Sequence, residues 1–337
     1  MKEIYTIKED KSNVQDYYVR LILSAFEALG YKSVYLDNIR EAYKLPKKST
    51  IVAISHYTTL KLVMRCFNNI IYRVQGTSPD ESFMRNHSKL RWFIISCVEY
   101  ISLKRAKLIF MVSKGMSRFY EDKYHLHLEN KTYIMPCYNS QIVPDAYTTQ
   151  GKYKRNLFCY VGGLSPWQCF EDTVLYYKKL EEKIDNAELR VFTPDVDQAN
   201  SIIKNANLKN ASAKYVRPDQ LLIELSECKY GFILRKESPV NFVATPTKLS
   251  NYLACGLIPI VSNTVDYFSD ILKKCHYAIL LGDNKDIAPV VQMSREKINP
   301  DDVFNEYNEL FKDYFNDRKH TENIKIIINH LGINYES

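Results

Sequence analysis

Residues 230–262, YGFILRKESPVNFVATPTKLSNYLACGLIPIVS, constrain the fold more than any other part of this chain. Two short apolar runs, Phe232 to Leu234 and Ile258 to Val261, read as buried strands. Between them lie a polar loop and a short helix, which Thr245 or Thr247 can cap, Pro246 can start and Gly256 can close. Strands joined through a helix lie parallel in one sheet. Arg235 then leaves the first strand at its C-terminal end, and Lys248 sits in the first helical turn. Two cations beside a helix N-terminus, at the carboxyl edge of a parallel sheet, make a place where an anion binds.

The same alternation runs through the chain in two series. The first has strands at Glu3 to Ile7, Ser33 to Leu36, Ile51 to Ile54, Asn69 to Val74, Leu108 to Val112 and Thr132 to Met135. Helical segments at Val14 to Leu29, Thr58 to Cys66, Ser88 to Leu103 and Lys114 to Lys123 separate them. Polar sequence from Ser140 to Arg155 reads as a linker. The second series runs from Leu157 to Leu281, and helices follow it. Such alternation predicts parallel sheets with helices on both faces.

Composition narrows the class. The 337 residues suit two domains of ordinary size. No run of about 18 apolar residues occurs, so no membrane span is expected. The N-terminus, MKEIYTIKED, carries no apolar signal core, which points to a cytosolic protein. Eight cysteines lie in apolar segments without metal-pair spacing and read as reduced core residues. The formal charge of +7 is uneven: Lys61 to Lys123 holds twelve Lys/Arg against five Asp/Glu. That bias suits a phosphate-rich or anionic-membrane partner. No nucleic-acid-binding module or basic–aromatic repeat accompanies it, so nucleic acid is not an expected partner.

Pro246, Lys248, Tyr252, Leu253, Ala254, Gly256 and Pro259 follow the order P-x-K-x-x-E-Y-L-A-x-G-x-P, with one extra residue before the last proline. In this the segment resembles the nucleotide-sugar site of GT-B glycosyltransferases, particularly the family-4-like enzymes of bacterial surface polysaccharide assembly. The resemblance implies an α/β protein of two doubly wound Rossmann-like domains with a cleft between them. Residues 1–145 would form the N-terminal acceptor-side domain, residues 156–300 the C-terminal nucleotide-sugar-binding domain, and residues 301–337 terminal helices crossing back to the first. The implied activity is transfer of a sugar from a nucleoside-diphosphate sugar to a growing, lipid-linked surface glycan such as capsule, O-antigen or exopolysaccharide. The acceptor would be a glycan or polyprenyl-linked glycan, and the protein would be cytoplasmic, peripheral on the inner face of the cytoplasmic membrane. No cofactor is expected, and no metal.

The chain departs from the family in places. The family's G-R-L-x-x-x-K-G is GGLSPWQC here, so Gly163 replaces the diphosphate-binding Arg and Gln168 the Lys. A leaving nucleoside diphosphate still needs its charge stabilised, which assigns that work to Arg235 and Lys248. Gly163 stays a candidate for the donor loop, and Thr247 for the helix start. The helix Glu that accepts from ribose is Asn251, an amide that can both donate and accept. Eight positions earlier the paired Glu is Val243, leaving Glu237, Ser238 and Asn241 in the loop that meets the sugar. These departures also admit a non-catalytic nucleotide-sugar-binding or scaffold protein. In the first domain, KEDKSNVQ lacks the usual glycines; Ser12 or Asn13 can cap the next helix, with Lys11 near its N-terminus.

His56, after its strand, and Asp80 or Glu81, in RVQGTSPDES, could take the acceptor proton of an inverting reaction. Phe83 to Phe93, FMRNHSKLRWF, sets Arg85, Lys89 and Arg91 beside Phe83, Met84, Trp92 and Phe93, a pattern suited to anionic lipid. Asp195-Val196-Asp197 looks like the DxD metal site of GT-A enzymes. Acidic residues also commonly begin a helix, and a position inside the second domain does not suit GT-A.

Overall fold

The computed structural model describes residues 2–8 and 13–333, which fall into two compact units: Met1–Pro136 with Asn316–Ser337, and Cys137–Phe315. Each is built on a six-stranded parallel sheet. In the first unit the strands are β1 Lys2–Ile7, β2 Tyr31–Leu36, β3 Thr50–Ala53, β4 Ile70–Arg73, β5 Leu108–Met111 and β6 Thr132–Ile134. They lie in the order β2-β1-β3-β4-β5-β6. The second unit contains β7 Leu157–Val161, β8 Glu188–Phe192, β9 Ala211–Lys214, β10 Tyr230–Ile233, β11 Ile258–Ser262 and β12 Ile279–Leu281. Their order, β9-β8-β7-β10-β11-β12, is that of a dinucleotide-binding Rossmann sheet. β3, β4, β5, β10 and β11 are buried along their whole length. A parallel sheet covered on both faces needs such short, continuously apolar runs, which is why these strands stood out in the sequence.

Two expectations are corrected, and the terminal helices divide between the units. Residues 140–155 are not a linker. Within them the helix Pro144–Tyr147 buries Ala146 and Tyr147, and the Val143 amide donates to the Ala254 carbonyl at 2.9 Å. Lys152 is fully buried and donates to the carbonyls of Ala146, at 3.1 Å, and Cys255. A polar-looking segment is thus fastened to the second unit by its few apolar residues and one buried amine. The described residues 300–333 hold two helices that belong to different units. Pro300–Asp313 belongs to the second unit, where the Tyr307 hydroxyl donates to the Leu257 carbonyl at 3.0 Å. Asp317–His330 belongs to the first, where the Tyr17 hydroxyl, on the helix Asn13–Glu27, donates to Asp317 at 2.6 Å. Finally, Cys66 and Cys97 are exposed rather than core residues. Lys11 and Ser12 lie outside the described residues.

Burial holds the Lys152 amine down at about 8, whereas an unfolded lysine titrates at about 10.4. Below pH 8 the folded chain carries that buried charge at a cost. As the pH rises above 8 the folded state sheds the proton while the unfolded state keeps it, so stability increases. Between pH 7 and pH 9, urea titrations should move the stability difference between the parent and Lys152→Met toward the parent by about 1 kcal/mol. A difference that does not change with pH would overturn this account.

Candidate functional site

The second sheet reverses its winding between β7 and β10, and ligands of open α/β sheets bind at such a point, beyond the carboxyl ends of the strands. Tyr252 fastens the two strands there. Its hydroxyl accepts from the Val161 amide at 3.2 Å and donates to the Phe232 carbonyl at 3.3 Å. Gly231 leaves room for the ring, since a Cβ there would come within 2.5 Å of it. The loop leaving β7 begins with Gly162, whose φ of 123° favours glycine. A Cβ on Gly162 would lie 3.5 Å from the Lys248 amine, so backbone and cation approach closely. Gly163, the expected donor-loop glycine, has no such conformation; its carbonyl accepts from the Tyr160 hydroxyl at 2.8 Å.

Arg235 and Lys248 both meet this point. Arg235 is 3% exposed and Lys248 8%. The guanidinium donates to the Gln168 side chain at 2.7 Å, yet its Nε has no partner. The Lys248 amine has none either; it lies 4.3 Å from the centre of the Tyr160 ring. Burial, and then the neighbouring Arg235, hold Lys248 well below the ordinary lysine range. Burial likewise lowers Arg235. A buried cation without a counter-charge is costly, and two together make a place that an anion would relieve. Side chains carry this, because the helix Lys248–Ala254 has only seven residues. Neither threonine caps it: Thr247 makes no side-chain cap bond, and the Thr245 hydroxyl accepts from the Cys137 amide at 3.1 Å.

Several other donor-site candidates already have work. The Asn251 side-chain oxygen accepts from the Ser140 hydroxyl at 2.7 Å, leaving its amide hydrogens as the group free to meet a ligand. Ser238 caps the helix Pro239–Val243, accepting from the Asn241 amide. Asn241 donates to the Lys236 carbonyl at 2.9 Å while its side-chain oxygen is buried without a partner. Asp195 accepts from the Leu164 amide at 3.0 Å and so braces the loop after β7. Gln168, read as a missing cation, is what holds Arg235 in place. Ser140, Gln168 and Asp195 reach partners 111, 67 and 31 positions away. Local sequence pattern carries no signal for such pairings.

The acceptor-side candidates separate in the first unit. His56 starts the helix His56–Met64; it is buried with Nε2 unpartnered, and burial pushes it down to about 4, so it is a weak base. Both oxygens of Asp80 are occupied, one by Trp92 Nε1 at 3.0 Å and one by the Lys123 amine at 3.0 Å. Glu81 differs. Its carboxylate crowds the position a Cβ on Gly76 would take, at the loop after β4, with Arg85 4.0 Å away, and burial raises its carboxyl against that cation. The sequence did not point to Glu99. It is fully enclosed, accepts from Tyr120 at 2.9 Å and Tyr124 at 2.7 Å, and lies 3.6 Å from Lys123. Burial raises it to about 7 against the pull of that lysine.

No family model matches the chain, and no curated protein matches its sequence. Its structure is similar to that of sucrose-phosphate synthase from Thermosynechococcus elongatus, with a TM-score of 0.73 over 98% of this chain and 99% of that one, at 13% identity. Anabaena HepE, in complex with UDP and glucose, matches with a TM-score of 0.69 over 98% and 100% at 10% identity. An E. coli trehalose-6-phosphate structure bound with UDP-2-fluoro glucose gives 0.65 over 98% and 99% at 10% identity. Two parallel six-stranded sheets with helices, matched end to end, give the GT-B glycosyltransferase fold.

Proposed function

We propose that this protein is a glycosyltransferase that moves a sugar from a nucleoside-diphosphate sugar onto a growing, lipid-linked surface glycan. The observation that carries the reading is the pair of buried cations, Arg235 and Lys248, with unpartnered nitrogens at the point where the second sheet reverses. A diphosphate supplies the negative charge they lack, and they in turn stabilise the leaving group as its charge develops. Similarity to structures holding UDP with glucose and UDP-2-fluoro glucose supports a UDP-sugar donor. Asn251 would donate to the nucleoside, while Gly163, Thr247, Ser238 and Asn241 line the donor loops. Of the first-unit candidates we assign Glu81 to the acceptor hydroxyl, because Asp80 is held by Trp92 and Lys123 and His56 is a weak base. The acceptor would sit at the inner face of the cytoplasmic membrane.

A second reading is favoured by two observations. Gln168 contributes no charge and Asn251 is half-occupied by Ser140, which suits a nucleotide-sugar-binding protein without turnover. Incubation with a panel of UDP-, GDP- and dTDP-sugars and membrane acceptors separates the two. Release of nucleoside diphosphate and a lengthened glycan are expected; binding without release leaves the second reading, and no binding at all removes both. We further propose that transfer needs no metal, since Asp195 already serves the Leu164 amide. Activity should persist in excess chelator and in Asp197→Ala. A strict Mg2+ or Mn2+ requirement abolished by that substitution would place the metal there instead.

A further inference from the structure

The basic, aromatic stretch 83–93 is not one continuous patch. His87 takes a left-handed conformation with φ of 53° and ends the helix Ser78–Asn86, and a new helix runs from Lys89 to Arg105. Trp92 turns inward, bonding Asp80, with Lys123 5.2 Å from its ring centre. A different surface takes its place. Leu90, Phe93 and Ile94 are 71%, 61% and 52% exposed, and Cys97 and Ile101 are exposed with them. At 3.6 residues per turn these five positions share a face about 100° wide and roughly 16 Å long. The opposite face buries Glu99, Ser96 and Ser102 together with Ile95 and Leu103. A helix in water ordinarily buries its longest apolar stripe. This one shows it to solvent, because Glu99 and its tyrosines claim the inner side.

Charge decides what covers that stripe. The charged residues on the outside of the helix are Lys89, Arg91, Lys104 and Arg105, all cationic, while its one carboxylate, Glu99, is 1% exposed. Lys89 and Arg91 fall on opposite borders of the stripe, and Lys104 and Arg105 close its C-terminal end. Cations bordering an apolar helix face match an anionic bilayer, where the apolar side chains enter the headgroup boundary and the cations stay with the phosphates. A second copy docked on the same face would set four cations against four.

We propose that this face of the helix Lys89–Arg105 docks on bilayers containing anionic phospholipid. The docking stands on the helix alone, and its test reads vesicle binding rather than turnover, so it succeeds or fails independently of the transferase reading. Flotation should recover the protein with phosphatidylcholine vesicles that contain phosphatidylglycerol, and not with phosphatidylcholine alone. High salt should release it. Phe93→Ser with Ile94→Ser, and separately Lys89→Glu with Arg91→Glu, should each lower binding at least about tenfold. All four positions are exposed, so both variants should unfold at the parent's temperature. Equal binding to neutral vesicles, or variants that float like the parent, would overturn the proposal. So would a concentration-dependent dimer lost in Phe93→Ser, or binding to polyglutamate in place of vesicles.

Discussion

Replacing Lys248 with methionine is expected to weaken binding of a nucleoside diphosphate about 10- to 100-fold and, in the same protein, to raise the melting temperature. Affinity falls because a charge-assisted hydrogen bond contributes about 1.5–3 kcal/mol. Stability rises because the amine is buried without a partner and beside Arg235. Removing a buried, unpartnered amine, which folding must either charge or neutralise at a cost, gains about 1 kcal/mol or more. The depressed lysine has a further consequence. A diphosphate beside Lys248 restores its preference for the charged form, so binding should take protons from the buffer over the pH range in which the free amine is partly neutral. Calorimetry in buffers of different ionisation enthalpy measures that uptake directly. The uptake should vanish in Lys248→Met and persist in Gln168→Ala, which disturbs only the partner of Arg235. A methionine variant that binds like the parent, or unfolds sooner, would remove Lys248 from the site.

The second large effect is expected in the first unit. Lys123 lies 3.0 Å from Asp80 and 3.6 Å from Glu99, and its side chain is 13% exposed. Lys123→Met leaves two enclosed carboxyl groups without their cation, a loss of about 3 kcal/mol at pH 8. Protonation softens the loss. Glu99 titrates at about 7 when folded, above its ordinary range, so it is neutral in acid and charged above neutrality. Without Lys123 the charged form becomes costlier still, so the destabilisation should grow with pH across this range. Urea midpoints at pH 6 and pH 8 provide the test. The same loss at both values would mean that Glu99 does not titrate in this cluster.

Both effects rest on burial and long-range pairing, which marks the boundary of what the sequence shows. The strands were legible because a two-sided parallel sheet writes itself as short apolar runs, and Phe232 and Ile258 sit in such runs. Lys248, Tyr252 and Gly256 were legible because their spacing is local to one helix. The helix Ser78–Asn86 was missed: Gly76 and Pro79 look like a loop, whereas Pro79 occupies the first turn. Trp92 looked like an interfacial residue because nothing nearby in sequence shows that Asp80 and Lys123 hold it inside. Glu99 carries no local signal on a helix full of cations. Its tyrosine partners lie 21 and 25 positions away.

The division of the chain sets an order of assembly. The first unit includes Asn316–Ser337, and the helix Asp317–His330 packs on the helix Asn13–Glu27, near the other end of the chain. During translation that surface emerges early and its cover emerges late. All of Cys137–Phe315 must be made in between, roughly ten to forty seconds at the usual rate of synthesis. The second unit, continuous in sequence, can close while the ribosome is still at work. The domain begun first is therefore the one finished last, and for that interval the side of the helix Asn13–Glu27 that carries Tyr17 waits on a partner the ribosome has yet to supply.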